Sequence, residues 1–259
     1  ALEAANDSNV EVVGIIAVGL FGQPPQMDKI RAFAKLHRLW VLDDAAQSFG
    51  TEFQGAKTGT LAEVTCTSFF PAKPLGCYGD GGALFTDSSE IANIARSCRV
   101  HGQGSHKYET IRLGMTARLD TIQAAILLAK LTIFDQELEQ RSKIADYYKK
   151  LLSGWVETPI CYSDRTSSWA IYTIKIPKNI DRAFMQEALN ERGIPTAIYY
   201  PIPMHLQKPY DRYPRAKYGL EVSEYLARSV LSIPMHPYLT REKQEIISNG
   251  IIEVIKMVD

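Results

Sequence analysis

The chain has 259 residues, 29 of them basic and 29 acidic, and 46% are hydrophobic. This length can bury a sizeable core in one large or two ordinary domains, and the balanced charge argues against a surface built to attract nucleic acid. Four widely spaced cysteines without a C-x-x-C pair, and no apolar run near the roughly 20 residues that span a bilayer, predict a cytoplasmic protein with reduced thiols and no membrane partner.

The first half of the chain alternates between strand-like and helix-like patterns. A β-branched run over residues 10–18 predicts a strand buried on both faces, and a helix is expected from Met27. Further strands are predicted at LWVL, which stops at Asp43 and Asp44, at VTCTSFF, and at GALFT, which precedes a helix capped by Ser88. Strands that alternate with helices predict an α/β fold with a mostly parallel sheet.

The second half of the chain begins with a helical stretch and then changes character. Residues 119–152 are rich in helix formers and predict one long helix or two joined ones. After Gly154, WAIYTIKI alternates like a strand with one face in water, and a terminal helix is expected from about Thr240. We therefore predict a large domain over residues 1–153, including the long connecting helix, and a smaller C-terminal α+β domain over residues 154–259.

Polar residues follow the ends of two neighbouring predicted strands. Asp43 and Asp44 end one strand, and Gln47 lies about one helical turn further on; Ser68 and Lys73 lie near the end of the next strand. An isolated carboxylate pair is commonly a helix cap or a loop residue. In a parallel α/β sheet, however, ligands gather at the carboxyl ends of strands, so this set is a candidate site.

Lys73 is the candidate for covalent chemistry. A lone lysine is usually a solvated surface residue, but FFPAKPLG surrounds this one with apolar residues, which favours a neutral, nucleophilic amine. A lysine that holds the aldehyde of pyridoxal phosphate (PLP) needs an acid, a polar group for the ring oxygen and donors for the phosphate. Asp44, Gln47 and Ser68 meet these needs in that order. The glycines after Lys73 match no nucleotide-loop pattern, so we expect them to let backbone pass close to the cofactor or a neighbouring subunit.

Several segments together resemble one known family. They are VGLFGQPPQMDKI, LDDAAQS, SFFPAKPLGCYGDGGA, RLDTIQAAIL, YYPIPMHLQ and LSIPMHPYL, and they resemble the fold-type I, PLP-dependent sugar-nucleotide aminotransferases of the DegT/StrS group. The lysine segment is closest to members that act on UDP-linked 3-oxo sugars, including 3-oxo-glucuronate aminotransferases of bacterial surface-polysaccharide pathways. The resemblance implies transamination of a keto group on a nucleotide-linked sugar, with glutamate as the amino donor.

The resemblance also implies roles for the matching residues. Lys73 would form the Schiff base with PLP and then move the proton during transamination. Asp44 would keep the pyridine nitrogen protonated, Gln47 would contact the phenolic oxygen, and Ser68 would contact the phosphate. The five histidines form no metal motif, so no metal is expected.

Family members are homodimers with shared active sites, and the segment GMTARLD would reach across to the partner. Thr116 would approach the partner's cofactor phosphate, although the family usually has asparagine there. Arg118 would bind a substrate carboxylate or phosphate, with a surface ion pair as the alternative. Tyr199 and Tyr200 would lie beside the sugar, and close relatives often carry histidine at Tyr199.

Two other functions stay open at this point. Family members carry an upstream segment with a phosphate loop, and this chain begins on what reads as the tail of a helix, so that segment is expected to be missing. A catalytically silent fragment or degenerate relative, acting as a dimer-forming or regulatory module, is therefore an alternative. A PLP-dependent sugar dehydratase is disfavoured, because relatives with that activity replace Lys73 with histidine.

Overall fold

The structure is a computed structural model that describes residues 2–8 and 10–258 of the chain. The chain packs into two compact units, each assembled from separated segments. The sheet unit comprises residues 14–138 and 162–170, and the helical unit comprises residues 1–13, 139–161 and 171–259. The domain boundary between residues 153 and 154 stays a prediction.

The described part of the chain forms eight strands and eight α-helices. The strands are β1 (Gly14–Val18), β2 (Trp40–Asp44), β3 (Glu52–Phe53), β4 (Ala56–Lys57), β5 (Val64–Ser68), β6 (Gly82–Phe85), β7 (Tyr172–Lys175) and β8 (Val230–Ile233). The helices are α1 (Leu2–Asp7), α2 (Met27–His37), α3 (Ser89–Cys98), α4 (Thr121–Leu131), α5 (Phe134–Leu152), α6 (Arg182–Glu191), α7 (Glu221–Ser229) and α8 (Arg241–Lys256). None of these helices is long and apolar enough to cross a membrane.

The sheet unit is built on a four-stranded sheet in the order β1-β2-β5-β6. The pairs β1–β2 and β2–β5 are parallel, and β6 is an antiparallel edge strand. The prediction of an α/β fold with a mostly parallel sheet is confirmed. The helix signals were also correct: Ser88 caps α3 by accepting a hydrogen bond from the Ile91 amide, and the long helical stretch is divided between α4 and α5.

The two faces of this sheet differ in burial. On one face, Asp43 lies in register between Ala17 of β1 and Thr65 of β5, and all three are buried. On the other face, Ile16 and Val18 of β1 are 60% and 46% exposed. The prediction that the first strand is buried on both faces was therefore wrong. This strand pairs with β2 alone, and its apolar residues have no cover on one face among the described residues.

The helical unit contains the antiparallel pair β7–β8. The prediction that β7 has one face in water was also wrong, because Tyr172 and Ile174 are fully buried and Thr173 is 8% exposed. The polar member of the alternation has a buried partner instead: the Thr173 hydroxyl lies 2.9 Å from the Ser232 hydroxyl on β8. An alternating pattern can thus arise from a buried polar pair as well as from solvent contact.

Candidate active site at the carboxyl ends of β2 and β5

Asp44 and Ser68 lie on the same face of the sheet, at the ends of neighbouring parallel strands. Asp44 is in register with Cys66 of β5, and side chains two residues apart on a strand point to the same face, so Ser68 shares that face. Asp44 Oδ1 accepts a hydrogen bond from the Ala46 amide at 3.1 Å, and Ser68 Oγ accepts one from the Phe70 amide at 3.2 Å. No described residue bonds Asp44 Oδ2 or receives the Ser68 hydroxyl proton. Both groups can therefore bind a ligand.

Lys73 lies in the turn that follows β5. Its amide donates to the Phe70 carbonyl at 2.8 Å, and its side chain is half-buried. Within the described residues, the Lys73 ammonium makes no hydrogen bond and no ion pair. A half-buried amine that no carboxylate holds is chemically suited to react with a carbonyl group.

The base of this turn is closed by backbone hydrogen bonds to Phe69. The Cys77 amide donates to the Phe69 carbonyl at 2.8 Å, and the Phe69 amide donates to the Gly81 carbonyl at 2.7 Å. The sulfur of the buried Cys77 thiol lies 3.0 Å from the carbonyl oxygens of both Phe69 and Gly79, and its one proton can be donated to either. These bonds connect the two ends of the segment that carries Lys73 and hold it against β5.

Two glycines after Lys73 are required by close approaches within this chain. A Cβ atom on Gly76 would lie 2.6 Å from the Pro71 carbonyl oxygen, and one on Gly82 would lie 2.8 Å from the Thr67 carbonyl oxygen. Both neighbours are backbone atoms, which cannot rotate away. The close neighbours found here belong to the same turn and to β5, and the approach of this stretch to a cofactor or a neighbouring subunit stays a prediction.

Gln47 fixes the loop that follows β1. Its side-chain Oε1 accepts a hydrogen bond from the Phe21 amide at 2.6 Å, and its backbone carbonyl accepts one from the Ser168 hydroxyl at 2.5 Å. Phe21 has a left-handed backbone, with φ of 61°, so this contact holds a conformation that a bulky residue rarely adopts. The contact from Gln47 to a cofactor's ring oxygen stays a prediction.

The electrostatics of the site separate the two adjacent aspartates. Burial raises the pKa of Asp43 to about 6; the hydrogen bond from Thr65 lowers it, and the neighbouring charge of Asp44 raises it further. The pKa of the Cys66 thiol, on the same face as Asp44, is raised by burial and by the two carboxylates. Cys66 therefore stays a protonated thiol at neutral pH and is a weak competitor for a carbonyl ligand.

Sequence reasoning singled out the pair Asp43 and Asp44 but did not assign them to opposite faces. The alternation of side chains along a strand was the signal that could have separated them. In the described residues, no group of three or more His, Cys, Asp or Glu side chains could hold a metal ion. All four cysteines are free.

Thr116 and Arg118 lie in an exposed loop of the sheet unit. Thr116 pairs with Val100 in an antiparallel bridge, and its hydroxyl lies 3.3 Å from Nε2 of His101. Arg118 is exposed and makes no ion pair or hydrogen bond with the residues that the structure describes. Its guanidinium is therefore available for a carboxylate or phosphate group from outside the described chain.

Tyr199 and Tyr200 belong to the helical unit. They are 36% and 50% exposed, and their rings form an edge-to-face pair with centroids 5.5 Å apart. The other candidate residues all belong to the sheet unit: Asp44, Gln47, Ser68, Lys73, Thr116 and Arg118. Within that unit, shared strand ends bring Asp44 and Ser68 together, and the turn after β5 carries Lys73.

Comparison with known proteins gives a consistent family. A sequence model of the DegT/DnrJ/EryC1/StrS aminotransferase family matches residues 4–251. The chain is 44% identical over 234 residues to a UDP-2-acetamido-2-deoxy-3-oxo-D-glucuronate aminotransferase of Pseudomonas aeruginosa, covering 90% of this chain and 63% of that protein. It is 41% identical over 243 residues to a protein of Geobacillus stearothermophilus named pleiotropic regulatory protein, covering 92% and 64%. The chain thus spans just under two thirds of the length of these curated relatives.

The fold agrees with a solved structure over nearly the whole chain. A DegT DnrJ EryC1 StrS aminotransferase from Brucella abortus superposes with a TM-score of 0.92 at 43% sequence identity. The match covers 97% of this chain and 68% of that one. The Brucella abortus structure therefore shares the mixed α/β architecture described above.

Proposed function

The chain belongs to the DegT/DnrJ/EryC1/StrS aminotransferase family, and on that premise we propose that it carries the catalytic lysine of a PLP-dependent aminotransferase. The reaction would transfer an amino group from glutamate to the keto carbon of a nucleotide-linked sugar. The observation that carries this proposal is Lys73: it lies in a turn closed by backbone hydrogen bonds and packed around glycine, and its amine has no hydrogen bond or ion pair among the described residues.

The side chains of the site have the donors and acceptors that PLP requires. Asp44 Oδ2 is available to accept a hydrogen bond from a pyridinium N–H group, and the Ser68 hydroxyl is available to donate one to a phosphate oxygen. Lys73 supplies the primary amine for the aldehyde. The residues present therefore fit this cofactor, with an acid, a hydroxyl donor and an amine in one compact unit.

When bound, PLP supplies an electron sink for the transfer of the amino group. The remaining work falls to this chain. The Asp44 carboxylate would keep the ring nitrogen charged, since an ionised oxygen next to that nitrogen favours its protonated form. Lys73 would hold the aldehyde carbon through Nζ and, once released by the incoming amine, would carry a proton on the same nitrogen. The hydroxyl of Ser68 would orient the phosphate.

The substrate is proposed to be a UDP-linked 3-oxo sugar, used by a cytoplasmic enzyme in surface-polysaccharide synthesis. The support is the relative from Pseudomonas aeruginosa, which is named for a UDP-linked 3-oxo-glucuronate sugar. Arg118 would bind a carboxylate or phosphate of the substrate, because a guanidinium can bind either with two parallel hydrogen bonds. Tyr199 and Tyr200 would contact the sugar.

A homodimer with shared active sites is proposed for the assembly, with Thr116 approaching the partner's cofactor phosphate. The support comes from apolar side chains that the described residues leave uncovered. Leu113 and Met115 are 97% and 65% exposed in the loop before Thr116, and Ile122 on α4 is 73% exposed. Exposed apolar surface of this kind commonly marks a protein interface.

The function is tested by trapping PLP on the chain. The purified protein is incubated with PLP and reduced with borohydride, and the modified peptide is identified by mass spectrometry. We expect the adduct on Lys73, its loss in Lys73→Ala, and its retention in Lys35→Ala, which changes an exposed lysine on α2. An adduct spread over several lysines, or turnover that survives Lys73→Ala, would contradict the proposal.

A silent regulatory module is the second candidate. The observation in its favour is the relative from Geobacillus stearothermophilus, which is named as a regulatory protein. This candidate predicts that the wild-type chain gives no adduct on Lys73 under the same conditions. The same experiment therefore separates the two functions.

A further inference from the structure

Helix α4 contacts the turn that carries Lys73 through two side chains. Lys130 Nζ donates a hydrogen bond to the Gly76 carbonyl at 2.5 Å, and Gln123 Oε1 accepts one from the Tyr78 amide at 2.8 Å. Lys130 also lies over the Tyr78 ring, with Nζ 5.5 Å from the ring centroid. Both α4 side chains are half-buried, so they are ordered by packing as well as by these bonds.

The spacing of these residues places them on one face of α4. Positions 123, 127 and 130 are separated by four and three residues, which corresponds to successive turns of one helix face. Leu127 between them is 5% exposed and belongs to the same buried cluster as Leu75 and Cys77 of the turn. One helix face thus supplies an apolar contact to the turn with a polar contact on either side of it.

The contacts fall on Gly76 and Tyr78, the two residues that flank Cys77 in the sequence. The Cys77 amide closes the base of the turn by donating to the Phe69 carbonyl, so the α4 contacts reinforce that closure on the side that follows Lys73. A hydrogen bond from an ammonium is stronger than one between neutral groups, and this one replaces the solvation that the carbonyl of the buried Gly76 loses. The end of the turn that follows Lys73 is consequently fastened to α4 as well as to Phe69.

We infer that Gln123 and Lys130 are positioning residues that fix the backbone following Lys73 and so set where its amine lies. This inference rests on the proposed function, because it assigns these two residues to the chemistry of Lys73. Neither residue needs to touch cofactor or substrate. Each acts through the carbonyl of Gly76 or the amide of Tyr78.

The test compares two variants that delete the contacts with two that retain them. Gln123→Met keeps the length of the side chain, Lys130→Met shortens it by one atom, and both remove the hydrogen bond. Lys130→Arg retains a hydrogen-bond donor, and Gln123→Glu retains a hydrogen-bond acceptor. Ala125→Gly is the control, because it weakens α4 at an exposed position without removing either polar contact or the packing of Leu127.

Two measurements are made on each variant. The first is hydrogen exchange at the Lys73 and Cys77 amides, with the Ala45 amide, which bonds to Cys66 of β5, as the internal reference. The second is the rate of borohydride-trapped PLP adduct formation on Lys73. We expect the methionine variants to exchange about tenfold faster at the turn, as the loss of about 1.4 kcal/mol of hydrogen bonding implies, while the Ala45 amide is unchanged. Adduct formation should slow in parallel. Lys130→Arg and Gln123→Glu should show wild-type amide exchange and wild-type rates of adduct formation.

Different failures have different meanings. Wild-type exchange and wild-type adduct rates in both methionine variants would overturn the positioning role while leaving the proposed function intact. The same local pattern in Ala125→Gly would also overturn it, since a weaker helix alone would then explain the effect. Absence of any Lys73 adduct in the wild type would instead refute the proposed function, and the role of Gln123 and Lys130 in that chemistry would be refuted with it.

Discussion

Replacing Asp43 with asparagine is expected to remove a pH-dependent part of the protein's stability. Asp43 is fully buried on β2, Thr65 Oγ1 donates to its Oδ2 at 3.5 Å, and Oδ1 has no hydrogen-bond partner among the described residues. Burial without full hydrogen bonding penalises the charged form, so the pKa is raised from 3.8 to about 6. Asparagine has nearly the same shape and does not ionise in this range.

The direction and size of the effect follow from these two pKa values. Between pH 4 and pH 6 the folded carboxyl holds a proton that the unfolded carboxyl has released, so folding takes up a proton. The stabilisation from the protonated form is present below about pH 4 and is lost as the pH rises through 6. Between pH 5 and pH 7.5 the pKa shift corresponds to a loss of about 1.4 kcal/mol in the free energy of unfolding.

The assay is urea unfolding followed by circular dichroism at pH 5 and pH 7.5, with both proteins free of ligand. From pH 5 to pH 7.5, the free energy of unfolding should fall by about 1.4 kcal/mol more for the wild type than for Asp43→Asn. Asp80→Asn, which alters an exposed carboxyl of the same unit, should behave as the wild type. Equal pH dependence in the wild type and Asp43→Asn would refute the assignment of a buried, protonated carboxyl.

Two further substitutions test a close packing contact and a buried hydrogen bond, each against a second substitution as its control. Gly76→Ala should lower the free energy of unfolding by about 2 kcal/mol or more, because its Cβ would lie 2.6 Å from a backbone oxygen. Gly55→Ala, where φ is +80° and no atom lies within 4 Å of the new Cβ, should cost about 1 kcal/mol, and thermal unfolding that ranks the two in reverse order would contradict the clash. Tyr148→Phe should cost about 1–3 kcal/mol in chemical denaturation, since the buried hydroxyl donates to the Pro234 carbonyl at 3.0 Å. The neighbouring Tyr147→Phe, which removes an exposed hydrogen bond to Glu245, should cost less than Tyr148→Phe.

Much of the fold was predictable because its signals are local. Strand composition and helix caps depend on residues close in sequence, and β2, β5, β6 and α3 lie where those signals placed them. Burial was less predictable, because it depends on what packs against an element. The apolar residues of β1 read as buried on both faces, although one face is open among the described residues, and β7 read as half-exposed, although Thr173 has a buried polar partner.

The site was predictable to the extent that strand ends define it. Asp44 and Ser68 were located by their positions after two strands, and the register of β2 with β5 brings them to one face. Gln123 and Lys130 were not found, because they lie about fifty residues further along the chain and read as ordinary helix residues. Their contacts with the turn depend on how α4 packs, which no local pattern in the sequence records.

Side chains alternate between the two faces of a strand, and Asp43 and Asp44 lie on opposite faces of β2. A shift of one residue within this strand would therefore change which carboxyl faces the site. One carboxyl is sealed in the core, and its neighbour faces the open side. Inserting or deleting a single residue within β2 would exchange the two environments without changing the composition of the strand. The reactive side of the sheet would then be lost even in a protein that retained every candidate residue, so evolutionary insertions are expected in the loops on either side of β2 and to be excluded from the strand itself.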